Sequence, residues 1–325
     1  VGLEKAKQKF EELKLKALRK YANIINSANS TGDDLTNVSN CQSCFVATGM
    51  RDCKYVHNSL QLEDGYDGYG TGAASDLMYE AFDSGVQASR LCFVAVVYGG
   101  TNIYYSYNCH GCDNLFGCIG LRNRQYCIFN QQYSKEEYHE LRAKIIKHMS
   151  EMPYVDKKGR TYGYGEFFPV EISPFAYNET ISSDFYPLTK EQVIAAGYQW
   201  RDRESGKYQM TKQAKELPDN ISQVNDDMLK EIIGCAQCGH AYRFIKKELD
   251  FLHQQNLPLP HLCPECRHQR RFKLVNFPRL YARQCQCLSG HIHGATKCTN
   301  IFETTYAPDR PETVYCEQCY NAEVV

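Results

Sequence analysis

The chain has 325 residues, of which 43% are hydrophobic, and its formal net charge is −1 at pH 7. This near-neutral charge excludes a polycationic protein, so binding to nucleic acid would require a local basic patch. The longest apolar run covers only residues 91–98 and no signal-peptide pattern is present, so we expect no contact with a membrane. The length predicts two or three domains.

Cysteine is abundant and lies in two blocks. Eight of the 17 cysteines fall between Cys41 and Cys127, and nine fall between Cys235 and Cys319. An odd total argues against complete disulfide pairing in a monomer, and metal-binding thiolates persist in a reducing compartment. We therefore predict a cytoplasmic protein.

The first predicted element is a helix over residues 3–26, within an N-terminal segment 1–39. Its apolar residues recur at steps of three and four, which is the spacing of one helical face. They are Phe10, Leu13, Ala17, Tyr21 and Ile24. The opposite face carries several lysines among glutamates, and we favour a solvated face over a phosphate-binding one.

Segment 40–150 is rich in Cys and Tyr and has a short repeat. Six of its Cys and Tyr residues lie 13 residues apart: Cys53, Tyr66, Tyr79, Cys92, Tyr105 and Cys118. A fixed short period with Gly, Asn and Asp between small apolar triplets is typical of a parallel β-solenoid, in which each turn covers the one before. About 13 residues per turn predicts a narrow, two-sided coil.

The eight cysteines of this segment have several possible roles. We favour an inward stack of Cys and Tyr, because free Cys behaves as a small buried hydrophobe. The pairs Cys41-x2-Cys44 and Cys109-x2-Cys112 are also compatible with a further metal site, and redox chemistry or disulfides come third. A nucleophilic Cys127 served by a distant histidine has no supporting local signature.

A second helix is predicted over residues 134–149, where Ser134 and Glu137 form a capping box. We expect this helix to cap the open end of the solenoid. Residues 151–220 are then expected to form an aromatic-rich connecting region that ends in a polar linker.

The last third of the chain carries the strongest signal, which is a series of C-x2-C pairs. Cys235–Cys238 and Cys263–Cys266 are two such pairs 24 residues apart, so we predict a first zinc ribbon over residues 221–284. A second ribbon is predicted over residues 285–325, and two Zn²⁺ ions are expected in all. Its ligands are Cys298, Cys316 and Cys319 with either Cys285 or Cys287.

These residues resemble the bacterial "probable zinc-ribbon" family, whose members carry C-x2-C-G, an aromatic-Glu-aromatic middle and a Cys-Pro-x-Cys-Arg knuckle. The matching residues are Cys235, Cys238, Gly239, Phe244, Glu248, Phe251, Pro258, Cys263, Pro264, Cys266 and Arg267. His261-Leu262 stands where the family usually carries Arg. The resemblance implies structural zinc held by tandem ribbons.

The companion ribbon of that family resembles the stretch from Cys298 to Cys319. Its likeness rests on Phe302-Glu303, Pro308-Asp-Arg-Pro311 and Val314-Tyr-Cys316. The first knuckle is widened here, which leaves Cys285 and Cys287 as alternatives. The whole chain is similar to larger Cys-rich bacterial proteins whose activity is not established.

No enzyme signature is present: there is no H-x-E deaminase pattern, H-E-x-x-H, P-loop or G-x-S-x-G. Four thiolates close a zinc ion to substrate, and only His291 and His293 would open the second site. We therefore expect a non-enzymatic binding protein, with a protein-interaction scaffold as the alternative and an enzyme third.

A basic strip between residues 262 and 284 favours nucleic acid or a ribonucleoprotein as the partner. Six Lys or Arg residues lie in this stretch against one acidic residue, Glu265. They are Arg267, Arg270, Arg271, Lys273, Arg279 and Arg283. Phe272 and Tyr281 are predicted to stack on bases.

Taken along the whole chain, the patterns predict a mixed α+β fold, mainly β. It consists of a parallel β-solenoid-like region that is flanked by helices and followed by two small zinc ribbons.

Overall fold

The computed structural model describes residues 2–202, 208–289, 294 and 297–324. The chain divides into two compact units. We call Val1–Pro174 with Asn276–Val325 the solenoid unit and Phe175–Val275 the ribbon unit.

The secondary structure follows the chain in three groups. The first is α1 (Gly2–Lys16), β1 (Arg19–Lys20), β2 (Ile24–Ile25), β3 (Gly32–Thr36), β4 (Cys44–Thr48), β5 (Lys54–Tyr69), β6 (Gly72–Phe82), β7 (Gly85–Ala95), β8 (Tyr98–Tyr104), β9 (His110–Phe116), β10 (Gln125–Ile128), β11 (Gln131–Gln132), α2 (Lys135–Glu151), β12 (Tyr154–Val155) and β13 (Thr161–Tyr162). The ribbon unit adds α3 (Ser182–Phe185), α4 (Lys190–Ala195), β14 (Lys212–Gln213), β15 (Ile233–Gly234), β16 (Ala241–Tyr242), α5 (Lys246–Gln254) and α6 (Pro264–Phe272). The chain ends with β17 (Tyr281–Gln284), β18 (Ile301–Thr304), β19 (Val314–Tyr315) and α7 (Glu317–Val324). Short 3-10 turns cover Val170–Ile172, Tyr177–Glu179, Ala214–Glu216, Ile221–Gln223 and Asp226–Lys230.

The predicted fold class is confirmed: the chain is mixed α+β, mainly strands, and contains a β-solenoid of about nine turns. Strands β2 to β10 lie side by side in chain order and in parallel, and β11 closes the row by antiparallel pairing with β10. Tyr66 pairs with Tyr79 and Tyr79 with Cys92, which is the predicted 13-residue period. Leu35 pairs with Ala47 at a period of 12, so the uniform period holds only for the middle turns.

Each turn is built from triplets of residues. Every third residue points inward and is buried, as in the run Val38, Cys41, Cys44, Ala47, Met50, Cys53 and Val56. The residue just before each inward one has a positive φ, as in Asn37, Asn40, Ser43, Val46, Asp52 and Tyr55. Four triplets make a turn of 12 residues, so the chain bends four times per turn and the coil has four sides instead of the two predicted.

The left-handed bends explain the composition of the segment. A left-handed conformation crowds Cβ against the following carbonyl oxygen, and only Gly, Asn and Asp adopt it at low cost. Asn40, Asp52 and Asp64 occupy equivalent bends in three successive turns, with φ near +52° to +55°. The abundance of Asn, Asp and Gly between the inward residues therefore encodes the bends of the coil.

Inward Ser and Cys side chains link one turn to the next. Ser106 Oγ donates to the Tyr104 carbonyl at 2.9 Å and accepts the Cys118 N–H at 3.1 Å. Cys53 Sγ similarly donates to the Arg51 carbonyl at 3.1 Å and accepts the Gly65 N–H at 3.4 Å. A small side chain with one donor and one acceptor therefore satisfies backbone groups of two turns in an interior that excludes water.

The predicted inward stack is only partly right. Seven of the eight solenoid cysteines are buried in the core, and all 17 cysteines of the chain are free. Tyr66 and Tyr79, however, are exposed, and Cys92 packs among outer aromatic residues. The turns vary between 12 and 13 residues. Residues spaced strictly 13 apart therefore do not all occupy the same position in their turns, and some point inward while others point outward.

The N-terminal helix is shorter than predicted. It ends at Lys16, and Arg19–Lys20 then forms β1, which pairs in parallel with β19. Tyr21 and Ile24, which are predicted to continue the helical face, both lie beyond the end of α1. Ile24 lies in β2, the first strand of the solenoid. The prediction was wrong here because the solenoid repeats every three residues, which is close to a helical turn of 3.6.

Helix α2 has the predicted capping box. The Glu137 N–H donates to Ser134 Oγ at 3.2 Å, and Glu137 accepts the Ser134 N–H at 2.9 Å. Its Tyr138 is 1% exposed and packs in one cluster with Phe116 and Ile128, outer residues of successive turns. The helix thus covers a side of the last turns and not only their open end. Among the described residues, no helix is long and apolar enough to cross a membrane.

Candidate metal centres

The first four-cysteine group is built on two knuckles of the ribbon unit. Cys235 follows β15, where its N–H donates to the His240 carbonyl at 3.0 Å and its carbonyl accepts the Gly239 N–H at 3.0 Å. Gly239 has a φ of +72°, which closes this tight turn. Cys263 is the N-cap residue of α6, and Pro264 occupies the first turn of that helix.

The two knuckles bring four sulfur atoms together. The Sγ atoms of Cys235, Cys238, Cys263 and Cys266 all lie within 4.8 Å of one another. The Sγ atoms of Cys238 and Cys263 are 3.7 Å apart. A tetrahedral site with metal–sulfur bonds of about 2.3 Å has sulfur–sulfur edges of about 3.8 Å, so the group has the size of a metal site.

Backbone N–H groups donate to two of these sulfur atoms. The Cys263 N–H donates to Cys235 Sγ at 3.2 Å, and the Cys266 N–H donates to Cys263 Sγ at 3.4 Å. Burial acts to raise the pKa of the Cys235 thiol, but backbone N–H donors, first that of Cys238, outweigh it and lower the pKa to about 6. The thiolate is the form that binds metal, and the lowered pKa favours this form at Cys235.

The second group lies in the solenoid unit. The Sγ atoms of Cys285, Cys298, Cys316 and Cys319 lie within 4.8 Å of one another, and all four residues are buried. The hairpin of β17 and β18 positions Cys285, whose N–H donates to the Asn300 carbonyl at 2.9 Å. The Cys316 N–H donates to Cys285 Sγ at 3.2 Å, as the corresponding donor does in the first group.

Cys287 is a fifth buried cysteine beside the second group. Its Sγ atom is 3.7 Å from the Ser289 carbonyl and 3.8 Å from a carboxylate oxygen of Glu323. It is not among the four residues whose sulfur atoms lie within 4.8 Å of one another. Of the two residues left open by the sequence, the geometry therefore favours Cys285 as the fourth ligand.

The other cysteines and histidines form no further group of this kind in the described ranges. There, three or more ligand atoms of Cys, His, Asp or Glu lie close together only in the two four-cysteine groups. The pairs Cys41–Cys44 and Cys109–Cys112 belong instead to the solenoid core. His291 and His293, the only candidates from the sequence for opening the second site, lie outside the described residues.

The second group is joined to the first turn of the solenoid. Strand β19 immediately precedes Cys316 and pairs with β1. Thr304 Oγ1 donates to the Tyr21 carbonyl at 2.6 Å, and Thr305 donates to the Asp33 carboxylate of β3. The Tyr21 ring lies 5.4 Å from that of Phe302. The predicted second ribbon thus packs on the N-terminal end of the solenoid.

The six predicted basic contacts are divided between the two units. Arg279 and Arg283 belong to the solenoid unit, and the other four lie on α6 or directly after it in the ribbon unit. Arg283 donates to the carbonyl of Ala307 at 3.3 Å and to Gln286 Oε1 at 2.9 Å. Arg267 forms an ion pair with Glu248 at 3.0 Å. Arg267 and Arg283 therefore have structural partners.

Three cations of α6 and its C-terminal end face solvent. Arg270, Arg271 and Lys273 are exposed, and none of them forms an ion pair with a residue that the structure describes. They lie within one or two turns of Cys266, so a metal ion in the first group would fix the helix that carries them. We call these three exposed cations the α6 patch.

The two aromatic residues predicted to stack on bases have other contacts. The Phe272 ring lies 5.1 Å from that of Phe185 in an edge-on arrangement, and His268 packs against it at 5.6 Å. Tyr281 lies under the guanidinium of Arg279 at 5.4 Å. Both rings are only half-exposed. Because Phe272 is the one of the two that lies on α6, the α6 patch offers charge more than stacking surface.

The fold and the two groups define a β-solenoid protein with two four-cysteine groups that can hold metal ions. Comparison of the chain with protein-family models, curated proteins and solved structures found no match. The resemblance to the zinc-ribbon family remains a prediction that rests on the cysteine spacing and the residues around it.

Proposed function

We propose that each four-cysteine group binds one Zn²⁺ ion and that both ions are structural. Four thiolates in a tetrahedral arrangement suit zinc or iron, and zinc is the usual ion where C-x2-C knuckles pair in a ribbon. Such a site leaves no position open to substrate, which supports a non-enzymatic role. The need for reduced thiols supports a cytoplasmic location. Elemental analysis of protein purified without chelator is expected to find two zinc ions per chain.

The ribbon unit is the part that we propose contacts a partner, and nucleic acid or a ribonucleoprotein is the partner that its charge favours. The α6 patch carries this proposal, since Arg270, Arg271 and Lys273 project from a helix whose N-terminus holds two ligands of the first group. Phosphate contacts from such a rigid cationic surface bind nucleic acid without regard to sequence.

Replacing Arg270 and Arg271 together by Ala tests this function. We expect the affinity for single-stranded RNA and for duplex DNA to fall for all sequences, with a salt slope lower by roughly one unit per lost contact. The measurement is fluorescence anisotropy at several salt concentrations. Zinc content should be unchanged, because neither arginine belongs to the four-cysteine group.

The matched control is Lys157→Ala with Lys158→Ala, which removes the same charge from two adjacent exposed positions of the solenoid unit. This variant is expected to bind nucleic acid as the native protein does. Equal affinity of the native protein and the Arg270/Arg271 variant at low salt would contradict the proposal.

A protein-binding scaffold is the second candidate function. Several apolar side chains on the outside of the solenoid are exposed, among them Leu60, Phe82 and Val86. Solenoids use such extended surfaces to bind other proteins. A partner that still co-purifies after nuclease treatment would favour this function over nucleic-acid binding.

A further inference from the structure

Helix α1 presents an apolar seam to solvent. Phe10 is 64% exposed and Leu13 is 57% exposed, although they lie on the same face of the helix. An isolated helix of 15 residues is marginally stable in water and generally needs a surface to pack against. The seam is therefore a surface that lacks its partner in the described part of the chain.

The spacing along α1 is that of a coiled-coil seam. Ala6, Phe10 and Leu13 of α1 and Ala17, which directly follows its last residue, recur at steps of four, three and four, which are the a and d positions of a heptad. In this register Lys9 and Lys16 occupy g positions, and Lys14, which forms an ion pair with Glu11 at 3.3 Å, occupies an e position. Glu11 and Glu12 occupy b and c positions, away from the seam.

The charges beside the seam select the partner. Residues at e and g face the partner helix and determine which sequences pair. In a second copy of α1, Lys9, Lys14 and Lys16 would meet lysines, which repel one another. A membrane surface is also disfavoured, because two of the four seam residues are alanines and the apolar face is shallow.

We propose that α1 docks an acidic amphipathic helix of a partner protein. Large apolar residues of that helix would fill the holes beside Ala6 and Ala17 and pack on Phe10 and Leu13. Its Glu or Asp side chains would flank the seam and meet the lysines. This interaction is separate from the nucleic-acid contact of the α6 patch.

The C-terminal end of α1 is fixed to the solenoid unit, which makes the helix a defined docking element. The Arg19 guanidinium donates to the Lys14 carbonyl at 3.3 Å, and the Ala17 N–H donates to the Leu13 carbonyl at 3.1 Å. Arg19 itself belongs to β1, which is paired with β19. The partner helix would therefore be held at a fixed position beside the first turn.

The test uses the full chain and two labelled synthetic heptad peptides. Both have Leu at a and d, and one has Glu at e and g where the other has Lys. Fluorescence anisotropy is expected to show binding of the acidic peptide and little binding of the basic one. Binding of the acidic peptide should weaken as salt is added.

Two variants identify the surface. Lys9→Glu with Lys16→Glu is expected to bind the acidic peptide about tenfold more weakly and to gain affinity for the basic peptide. Phe10→Ser with Leu13→Ser should lose binding of both peptides.

Two further double variants are controls. Lys157→Glu with Lys158→Glu changes the same number of charges elsewhere, and Arg270→Ala with Arg271→Ala removes two of the three cations of the α6 patch. Both controls should bind the acidic peptide as the native protein does.

Three results would overturn the proposal. The first is equal binding of both peptides, or binding that survives the Lys9/Lys16 reversal. The second is tighter binding to phosphatidylserine vesicles than to the acidic peptide, if the Phe10/Leu13 variant abolishes it, since a membrane would then be the occupant. The third is dimerisation in analytical ultracentrifugation that the same variant abolishes, since a second copy would then cover the seam.

Discussion

The hydrogen bonding of two buried tyrosine hydroxyls affects the free energy of unfolding of the solenoid unit. Tyr105 and Tyr138 are both buried tyrosines beside the outer aromatic residues of the coil. The Tyr105 hydroxyl oxygen accepts the Gly165 N–H at 2.9 Å, and burial raises the pKa of Tyr105 to about 12. The Tyr138 hydroxyl finds no hydrogen-bond partner among the described residues. A buried polar group without a partner costs about 1–3 kcal/mol.

Replacing Tyr138 by Phe is therefore expected to stabilise the protein by about 1 kcal/mol, since it removes the unpaired hydroxyl and keeps the ring. Tyr105→Phe is the matched control and should destabilise the protein, because it leaves the Gly165 N–H without its acceptor. Urea denaturation of both variants measures the difference. A loss of stability in Tyr138→Phe would mean that the hydroxyl has a bonding partner.

Glu80 provides a pH-dependent case at the same scale. Burial first, and then the nearby carboxylates of Glu166 and Asp67, raise the pKa of Glu80. Its Oε2 atom is buried without a hydrogen-bond partner among the described residues. The ionised form is thus disfavoured in the folded state, so Glu80 lowers stability above its folded pKa and has no such effect below the unfolded value.

Glu80→Gln is accordingly expected to raise the melting temperature at pH 7, and the gain should disappear as the pH falls below about 4.5. Glu63→Gln is a useful control, since Glu63 forms an ion pair with Arg51 and its replacement should bring no gain. Scanning calorimetry between pH 4 and pH 8 gives both comparisons. An equal gain at every pH would argue against a charge effect.

At the scale of elements, local spacing predicted some features and not others. The first four-cysteine group follows from two C-x2-C pairs, because each knuckle fixes its own sulfur atoms within one tight turn. The choice between Cys285 and Cys287 depends on pairing across a hairpin, where Arg283 lies opposite Phe302 and Gln284 opposite Ile301. This register places Cys285 beside Asn300, and no local pattern in the sequence encodes it.

The two cysteines should differ when each is replaced by Ser. Cys285→Ser is expected to reduce the zinc content from two ions to about one, because a site with three thiolates loses much of its binding free energy. Cys287→Ser should keep two ions, since its thiol lies outside the group of four. Mass spectrometry under native conditions counts the ions. Retention of two ions in Cys285→Ser would show that Cys287 replaces the missing ligand.

The solenoid itself was predictable as a repeat but not in its cross-section. The period was visible because Cys and Tyr mark equivalent positions in the middle turns. The three-residue spacing of the inward residues is harder to recognise in the sequence. Asn, Asp and Gly recur at the bends, but the positive φ values that define the bends are a property of the folded backbone. The same triplet produced the error in the first helix, where Ile24 continues the apparent helical face and belongs to β2.

At the scale of the whole molecule, the two metal groups are expected to stabilise different parts. The first lies in the core of the ribbon unit with Ile233 and Leu249. The second lies against the first turn of the solenoid through β1 and β19. An uncovered end of a solenoid exposes unpaired backbone and apolar side chains, which favours edge-to-edge association.

Loss of the second ion should therefore affect the solenoid. Cys316→Ser is expected to lower the melting temperature of the solenoid unit and to promote aggregation, whereas Cys266→Ser should unfold only the ribbon unit. Hydrogen exchange followed by mass spectrometry assigns the change to residues, with increased exchange in 19–36 expected for Cys316→Ser. Unchanged exchange in that range would contradict a capping role for the second group.

The extra residue in the middle turns has a consequence for how such a chain changes during evolution. Ala73 and Ala74 both have a positive φ, and the pairing of β5 with β6 shifts by one residue between Leu60 and Leu62. The coil accommodates this residue at one bend, and the inward residues on both sides keep their spacing of three. We expect a bend to tolerate an inserted residue, and whole turns to be gained or lost without disturbing either end. We therefore expect homologous solenoids to differ in length mainly by multiples of about 12 residues.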